Sequence, residues 1–233
     1  MGTMKIAIMQ PYFFPYIGYW QLINSVDKFI FLDNVNYKKK GYINRNRINL
    51  NGKPHTITLP VKSASQNKLI SEIEICEARL KLLKTIYHAY SKAPLFSVIY
   101  PLLEEQILLD TKSLSVLLVN SIVKISKYLQ IETNFKKASE LNIINNLKGQ
   151  DRIISICKYF NSVQYINLPG GRNLYEKDIF KMNNIEIFFL EPNLNKINYF
   201  SNANESYLSI IDLLMNKEYP IIKNYLNNFD LYP

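Results

Sequence analysis

The stretch MKIAIMQPYFFPYIGYWQLI, residues 4–23, decides the fold class of this chain. Residues 5–9 form an apolar run that is typical of a buried strand, and Pro11 ends it. An apolar pattern with helical spacing starts near Gly18 and continues to residue 23. A strand, a short loop and a helix in this order are the first half of a β-α-β unit, so the stretch predicts an open α/β sheet.

In such a sheet a ligand lies beyond the carboxyl ends of the strands, and the following helix offers free N–H groups to an anion. Four polar side chains come directly after the first predicted strand. We therefore expect a ligand crevice lined by Gln10, Tyr12, Tyr16 and Tyr19.

Residues 27–33 form the second predicted strand, because their centre is aromatic and β-branched. Asp33 falls at its carboxyl end, where parallel strands carry their functional residues, and Asp27 falls before it. Both are candidate general bases, and Asp33 fits a carboxylate that caps a turn equally well.

Residues 34–51 are the most polar part of the chain and contain five cations within ten residues. If residues 42–50 form a strand, Arg45 and Arg47 share one face, while Asn44 and Asn46 share the other. Arginine and lysine suit a nucleotide diphosphate, whereas a solvated loop and a nucleic-acid surface are the alternatives. The cluster consists of Lys38, Lys39, Lys40, Arg45 and Arg47.

Asn51-Gly52 is a strong signal for a β-hairpin, and it joins residues 42–50 to residues 54–61. His55 lies in the second strand of this hairpin, as a candidate acid-base group or an exposed histidine. Neither histidine has the neighbours of a metal site, so we expect no bound metal.

The remainder of the chain alternates between predicted strands and helices. Residues 77–130 form a mainly helical segment, and Gly170-Gly171 marks a second strand–loop–helix unit. Further strands are expected at residues 69–76, 131–139, 164–167 and 185–190, and further helices at 149–160, from about 174, at 206–215 and at 219–229.

The 233 residues carry a formal net charge of +9, which favours anionic partners. No apolar run approaches the roughly 20 residues of a membrane span. Cys76 and Cys157 are far apart, as expected of reduced thiols in a cytoplasmic protein. Residues 1–3 are typical of an expression leader, so we expect a single domain over residues 4–233.

The segment Gln10-Pro11-Tyr12-Phe13-Phe14-Pro15-Tyr16-Ile17-Gly18-Tyr19 resembles the opening of the WbqC-like family of bacterial polysaccharide-locus proteins. Asn44-Arg45-Asn46, Leu59-Pro60-Val61 and Lys92-Ala93-Pro94 extend the likeness. Tyr16-Ile17-Gly18-Tyr19 also resembles the His-Ile-Gly-His signature of the HIGH superfamily, with tyrosines for both histidines. The expected fold is an open, mainly parallel Rossmann- or HUP-like sheet with a β-hairpin and an all-helical segment.

The resemblance implies transfer of an acyl or aminoacyl group, such as glycine, to the amine of a nucleotide-linked sugar in O-antigen or other surface-polysaccharide biosynthesis. Asp33, Asp27 or His55 is then the candidate base. Asn44 and Asn46 are candidate oxyanion donors, and Lys39, Lys40, Arg45 and Arg47 are candidate diphosphate ligands. The alternatives are an adenylating enzyme that uses ATP and Mg²⁺ and a non-catalytic protein that binds nucleic acid or assists polysaccharide assembly.

Overall fold

The computed structural model describes residues 3–143, 147–193 and 207–233 of the chain. Within these residues it contains short and medium strands grouped into one large and two small sheets. The strands are β1 (Lys5–Met9), β2 (Lys28–Phe31), β3 (Arg45–Leu50), β4 (Lys53–Thr58), β5 (Val61–Lys62), β6 (Glu74–Ile75), β7 (Asn134–Lys137), β8 (Gln164–Asn167), β9 (Glu186–Pro192) and β10 (Phe229–Tyr232).

The helices of the described residues lie between these strands, and the predicted segment 77–130 is indeed mainly helical. Ser113 caps its last helix, because the Ser113 hydroxyl accepts a hydrogen bond from the Val116 N–H. The helices are α1 (Ile17–Asn24), α2 (Leu80–Tyr90), α3 (Phe96–Ile107), α4 (Leu114–Tyr128), α5 (Gly149–Tyr159), α6 (Lys177–Met182), α7 (Ile210–Asn216) and α8 (Tyr219–Leu226).

The large sheet has the spatial order β10-β9-β8-β1-β2-β7. Neighbouring strands are parallel except β10, which runs antiparallel to β9. From β1 the chain continues to β2 and β7 on one side, and it later places β8 and β9 on the other. This is the doubly wound order of nucleotide-binding α/β folds, with its switch point between β1 and β8. The predicted open, mainly parallel sheet is confirmed.

Alternate side chains of the central strands enter two separate cores. Ala7, Phe29 and Phe31 pack with α1, the helical segment, α7 and α8. Ile6 and Ile30 face the other way and pack against α5 and α6. Because both faces of the sheet are covered by helices, the inner strands β1 and β2 are apolar after their first residue.

The hairpin of β3 and β4 follows the expected pattern. Asn51 and Gly52 both have positive φ, 53° and 77°, which is the conformation of the tight turn that Asn-Gly favours. In β3, Asn46 and Ile48 are buried while Arg45 and Arg47 are half-exposed, so the two arginines share one face.

Residues 69–76 do not form the predicted strand. They form a 3-10 turn, Ile70–Glu72, followed by the two-residue strand β6. The segment is bound to the chain that leaves β2, since the Ser71 N–H donates to the Asp33 carbonyl oxygen. The Glu72 carboxylate accepts from the Leu69 N–H and closes the turn.

The predicted helix over residues 219–229 is also too long. Helix α8 ends at Leu226, because the Gln21 side-chain amide donates to the Tyr225 and Asn228 carbonyl oxygens. The chain then pairs with β9 as β10. The helix expected from residue 174 begins at Lys177, after a 3-10 turn, and α7 begins at Ile210.

None of the helices in the described ranges is both long and apolar enough to cross a lipid bilayer. Met1 and Gly2 of the expected leader, and Ser206 at the predicted start of α7, lie outside the described residues.

Candidate functional site

A pocket of about 390 Å³ opens at the switch point of the sheet. Met9 ends β1, Leu168 follows β8, and Glu191 lies at the end of β9, so the carboxyl ends of three parallel strands meet there. We call it the switch-point pocket. Its described lining residues are Met9, Tyr12, Pro15, Tyr16, Tyr42, Asn46, Leu168, Pro169, Gly170, Glu191, Pro192 and Tyr207.

Tyrosines make up most of the aromatic wall of the switch-point pocket. The Tyr12 and Tyr42 rings are tilted against each other with centroids 6.0 Å apart, and Tyr16 and Tyr207 form a second pair at 5.5 Å. Such rings offer flat apolar faces and a polar tip, which suits a ligand that has both a ring and hydroxyl groups.

Hydrogen bonds fix the backbone of the loop between β1 and α1. The Asn46 side-chain amide donates to the carbonyl oxygens of Phe13, at 3.0 Å, and Phe14, at 2.7 Å. The Ser209 hydroxyl donates to the same Phe14 oxygen at 2.6 Å. Phe14 has a φ of 40°, a conformation that non-glycine residues rarely adopt, so these bonds hold a strained loop in place.

Gly18 lets the Tyr16 ring lie against the start of α1. A Cβ atom at position 18 would lie 2.6 Å from Cε2 of Tyr16, closer than side-chain atoms approach one another. The missing side chain at residue 18 therefore sets the position of one wall of the pocket.

The phenols of Tyr12 and Tyr16 stay neutral at ordinary pH. Burial raises the pKa of Tyr12 and Tyr16, and the nearby Tyr207 and Glu191 raise that of Tyr16 further. Neutral phenols donate hydrogen bonds to acceptors of a ligand. Glu191 is the one carboxylate among the described lining residues, and its Oε2 lies 3.3 Å from Nη2 of Arg172.

A smaller hollow of about 260 Å³ shares Tyr42 and Asn46 with the switch-point pocket. We call it the arginine hollow. The Nε atoms of Arg45 and Arg47 are buried and have no hydrogen-bond partner among the described residues. Its lining residues are Lys40, Gly41, Tyr42, Arg45, Asn46, Arg47 and Thr56.

The structure places the predicted binding residues in different surroundings. Tyr12 and Tyr16 line the switch-point pocket. Tyr19 is fully buried, and its hydroxyl donates to the Gln10 carbonyl oxygen, so these two residues contact each other behind the loop. Of the four residues predicted for the crevice, Tyr12 and Tyr16 therefore line the switch-point pocket, and Gln10 and Tyr19 do not.

The predicted cation cluster is split in a similar way. Lys40, Arg45 and Arg47 line the arginine hollow, whereas Lys39 is exposed and lines neither site. Asn44 is buried, with its oxygen accepting from the Tyr37 hydroxyl and its amide donating to the Leu59 carbonyl oxygen. Asn46 lines both sites but uses its amide on the loop.

The three predicted catalytic residues do not come together. The Asp33 carboxylate is buried, and it accepts from the Ser115 hydroxyl and from both the N–H and the hydroxyl of Ser139. Asp27 is exposed near the amino end of β2 and accepts from the Lys5 N–H. His55 is exposed on β4 and does not line the arginine hollow. Their catalytic roles stay predictions.

The sequence interpretation missed Glu191 and Tyr207, and it described the segment Leu168-Pro169-Gly170 as part of a glycine loop without assigning it to the site. Leu168 follows β8 and Glu191 lies in β9. The rule that ligands bind at the carboxyl ends of parallel strands could therefore have identified both residues from the sequence. Tyr207 carries no such signal, because only the folded chain brings it to Tyr16.

Metal ligands are not clustered in the part of the chain that the structure describes. Over residues 3–143, 147–193 and 207–233, no three histidine, cysteine or acidic side chains are grouped as a metal site requires. Cys76 and Cys157 are free thiols, and burial raises the pKa of Cys157 to about 12.

Comparison with known proteins extends over most of the chain. The model of the WbqC-like protein family matches residues 10–223, a range that contains the arginine hollow and every described lining residue of the switch-point pocket except Met9. An uncharacterized protein of Mycobacterium tuberculosis, Rv1507c, is 27% identical over 221 residues, which are 91% of this chain and 93% of the relative. No solved structure matches the chain. The likeness to the HIGH superfamily is not confirmed and stays a prediction.

Proposed function

Because this chain belongs to the WbqC-like protein family, we propose that it is a transferase of surface-polysaccharide biosynthesis that acts on a nucleotide-linked amino sugar. The reaction proposed is transfer of an acyl or aminoacyl group to the sugar amine. The observation that carries the proposal is that the buried Nε atoms of Arg45 and Arg47 in the arginine hollow have no hydrogen-bond partner among the described residues, beside an aromatic pocket at the switch point. Nη2 of Arg45 donates to the Lys40 carbonyl oxygen at 2.7 Å, which fixes this guanidinium at the hollow.

The arginine hollow fits a diphosphate. A buried N–H without a partner costs free energy, so the Nε atoms of Arg45 and Arg47 favour a ligand that accepts from them. Arginine donates to phosphate oxygens through two parallel N–H groups, and Lys40 adds a third charge nearby. Long nucleic acids are a weaker match, because the two arginines line a small concavity and not an extended surface.

The switch-point pocket fits the groups attached to the diphosphate. Its tyrosine faces suit a nucleobase or a sugar ring, and their neutral hydroxyls suit sugar oxygens. Glu191 supplies a negative charge in the same pocket, which attracts the protonated amine of an amino sugar.

The chemistry of amide formation gives Glu191 a role. The sugar ammonium loses one proton to a base, and the neutral amine nitrogen attacks the acyl carbonyl carbon. The bond from that carbon to the leaving group then breaks, and the leaving group takes the second proton that the nitrogen releases. We assign the base to Glu191, since it is the carboxylate that lines the pocket. The neutral phenols of Tyr12 and Tyr16 are donors for the oxyanion that forms at the carbonyl oxygen.

This reaction belongs in the cytoplasm, where nucleotide-linked sugars are made, and the acyl donor is the second substrate. Activation of the acyl group by ATP and Mg²⁺ is the competing reaction class. It predicts pyrophosphate release that depends on Mg²⁺, whereas simple transfer from an activated donor does not.

The test is a thermal-shift and calorimetric screen of UDP-, dTDP- and GDP-linked sugars, with and without ATP and Mg²⁺. We expect selective binding of a nucleotide-linked amino sugar. Arg47→Ala should weaken this binding by roughly 10- to 100-fold, the size of a lost charge-assisted hydrogen bond. The melting temperature should stay nearly constant, because the structure records no hydrogen bond from the Arg47 side chain to a described residue.

The matched control is Lys53→Ala, which removes an exposed cation from the same hairpin but outside the hollow. If Arg47→Ala and Lys53→Ala weaken nucleotide-sugar binding equally, the loss is an effect of net charge and not of the arginine hollow. A response to ATP alone would favour the adenylating enzyme, and tight binding of oligonucleotides without any nucleotide-sugar response would overturn the proposal.

A further inference from the structure

A second cleft, of about 830 Å³, lies at the carboxyl end of β2 and is separate from the switch-point pocket. None of its described lining residues lines the switch-point pocket or the arginine hollow. The chain after β2, the start of α5 and the segment before α6 form its walls. The lining residues used below are Asn34, Ser71, Ser139, Lys148, Arg152 and Tyr175.

The cleft is positively charged. Arg152 and Lys148 line it, and none of its described lining residues is acidic. Asp33 lies behind the wall and attracts Arg152 from a distance, but its carboxylate is occupied by Ser115 and Ser139. No acidic side chain of the described lining occupies the cationic surface of the cleft, which is therefore open to an anion.

Arg152 has far fewer partners than its five N–H donors can use. Its Nη1 donates to the Asn34 carbonyl oxygen at 3.2 Å, and the structure records neither another hydrogen bond nor an ion pair to a described residue. Partial burial lowers the pKa of Arg152, and the charge of Asp33 opposes this shift. The side-chain oxygen of Asn34 is also buried without a partner.

From this geometry we propose that the cleft around Arg152 binds an oxyanion, a carboxylate or a phosphoryl group, of a ligand other than the nucleotide. A guanidinium at the wall of a large cleft matches the planar fork of either anion. Binding of the oxyanion does not depend on the function proposed above. The further role of the cleft as the site of the acyl donor does rest on that function.

The probes are inorganic phosphate and acetate, titrated into the full chain at constant ionic strength. The signal is the Nε–H resonance of Arg152 in a ¹⁵N NMR spectrum, assigned by its loss in Arg152→Lys. Both anions can also enter the arginine hollow. The Nε–H resonance belongs to Arg152 alone, so it distinguishes binding at the cleft from binding at the hollow. Tighter acetate binding assigns a carboxylate ligand, and tighter phosphate binding assigns a phosphoryl group.

We expect saturable shifts of this resonance in the unmodified chain and about tenfold weaker anion binding at the cleft in Arg152→Gln, followed by calorimetry. The matched control is Lys158→Gln, which removes an exposed charge from the same helix at its far end. Arg45→Gln should leave the Arg152 shifts unchanged, and Arg152→Gln should leave nucleotide-sugar binding unchanged.

An Arg152 resonance that does not shift with either anion would overturn the proposal, even if the Arg152→Gln variant failed to fold. Equal losses in Arg152→Gln and Lys158→Gln would also overturn it. Loss of nucleotide-sugar binding in Arg45→Gln with intact anion binding at Arg152 would support both sites separately.

Discussion

Asp33 and the pair Arg45 and Arg47 contrast in how far their side chains are hydrogen-bonded within the chain. Asp33, after β2, is only 1% exposed and accepts three hydrogen bonds from Ser115 and Ser139. Arg45 and Arg47, beside the switch point, keep buried Nε atoms without partners. A charge whose hydrogen bonds are all made within the chain stabilises the fold, whereas a charge with unused donors is available for a ligand.

The largest expected effect is that of replacing Glu191, the carboxylate that lines the switch-point pocket beside the arginine hollow. Glu191→Gln preserves shape and should lower the rate of acyl transfer by roughly 10²- to 10⁴-fold, because it removes the proposed base. Nucleotide-sugar binding should change far less, and stability should change little since the Glu191–Arg172 pair is exposed. The rate is measured by mass spectrometry of the acylated nucleotide sugar.

An unchanged rate in Glu191→Gln would remove this carboxylate from the mechanism and return Asp33 and His55 to consideration. Glu176→Gln is the matched control, since Glu176 is an exposed carboxylate that does not line the pocket.

The next largest effect is expected for Asp33, whose carboxylate is hydrogen-bonded within the chain. Asp33→Ala should lower the free energy of unfolding by about 3 kcal/mol, because it leaves the buried Ser115 hydroxyl and the hydroxyl and N–H of Ser139 without their acceptor. Urea denaturation at neutral pH measures the loss. The control Asp27→Ala should cost less than about 1 kcal/mol, since the exposed Asp27 can be replaced by water.

A stable Asp33→Ala variant with no acyl transfer would contradict the structural role and make Asp33 a catalytic residue. A stable and active variant would show that its hydrogen bonds contribute little to the fold.

The smallest effect concerns the wall of the switch-point pocket. Gly18→Ala places a methyl group against the Tyr16 ring, which must rotate, because the new Cβ would lie 2.6 Å from it. We expect nucleotide-sugar binding to weaken by roughly three- to tenfold, about 1 kcal/mol. Calorimetry measures the change, and Gly170→Ala is the control because a Cβ at that position of the same pocket meets no atom within 4 Å.

Binding that is equally weakened by Gly18→Ala and Gly170→Ala would show that the pocket tolerates no added methyl group. Unchanged binding in Gly18→Ala would show that the position of the Tyr16 ring is unimportant to the ligand.

Local patterns predicted most of the elements correctly. Asn51-Gly52 identified the hairpin, and the apolar runs at residues 5–9 and 27–33 identified the two central strands that pair as β1 and β2. The failures share a cause. Residues 69–76 form a turn because they bond to the chain after Asp33, and β10 forms because Gln21 ends α8 and β9 has a free edge.

The sequence indicated those residues of the candidate site that lie close to one another along the chain. Tyr12 and Tyr16 follow β1 directly, and Arg45 and Arg47 alternate on one strand, and the structure has each of them lining a pocket or hollow. Tyr19 belongs to the same motif, yet it is fully buried. Helical phase alone did not decide which ring of the motif faces the ligand.

The amino-acid sequence by itself determined the α/β class, the hairpin and the face shared by Arg45 and Arg47, because these depend on propensity and on the periodicity of neighbouring side chains. Tertiary structure alone decided that Glu191 and Tyr207 join Tyr16, and that Asp33 is enclosed by Ser115 and Ser139. Those contacts connect residues 82 to 191 positions apart, and strand order, which no local pattern encodes, brings them together.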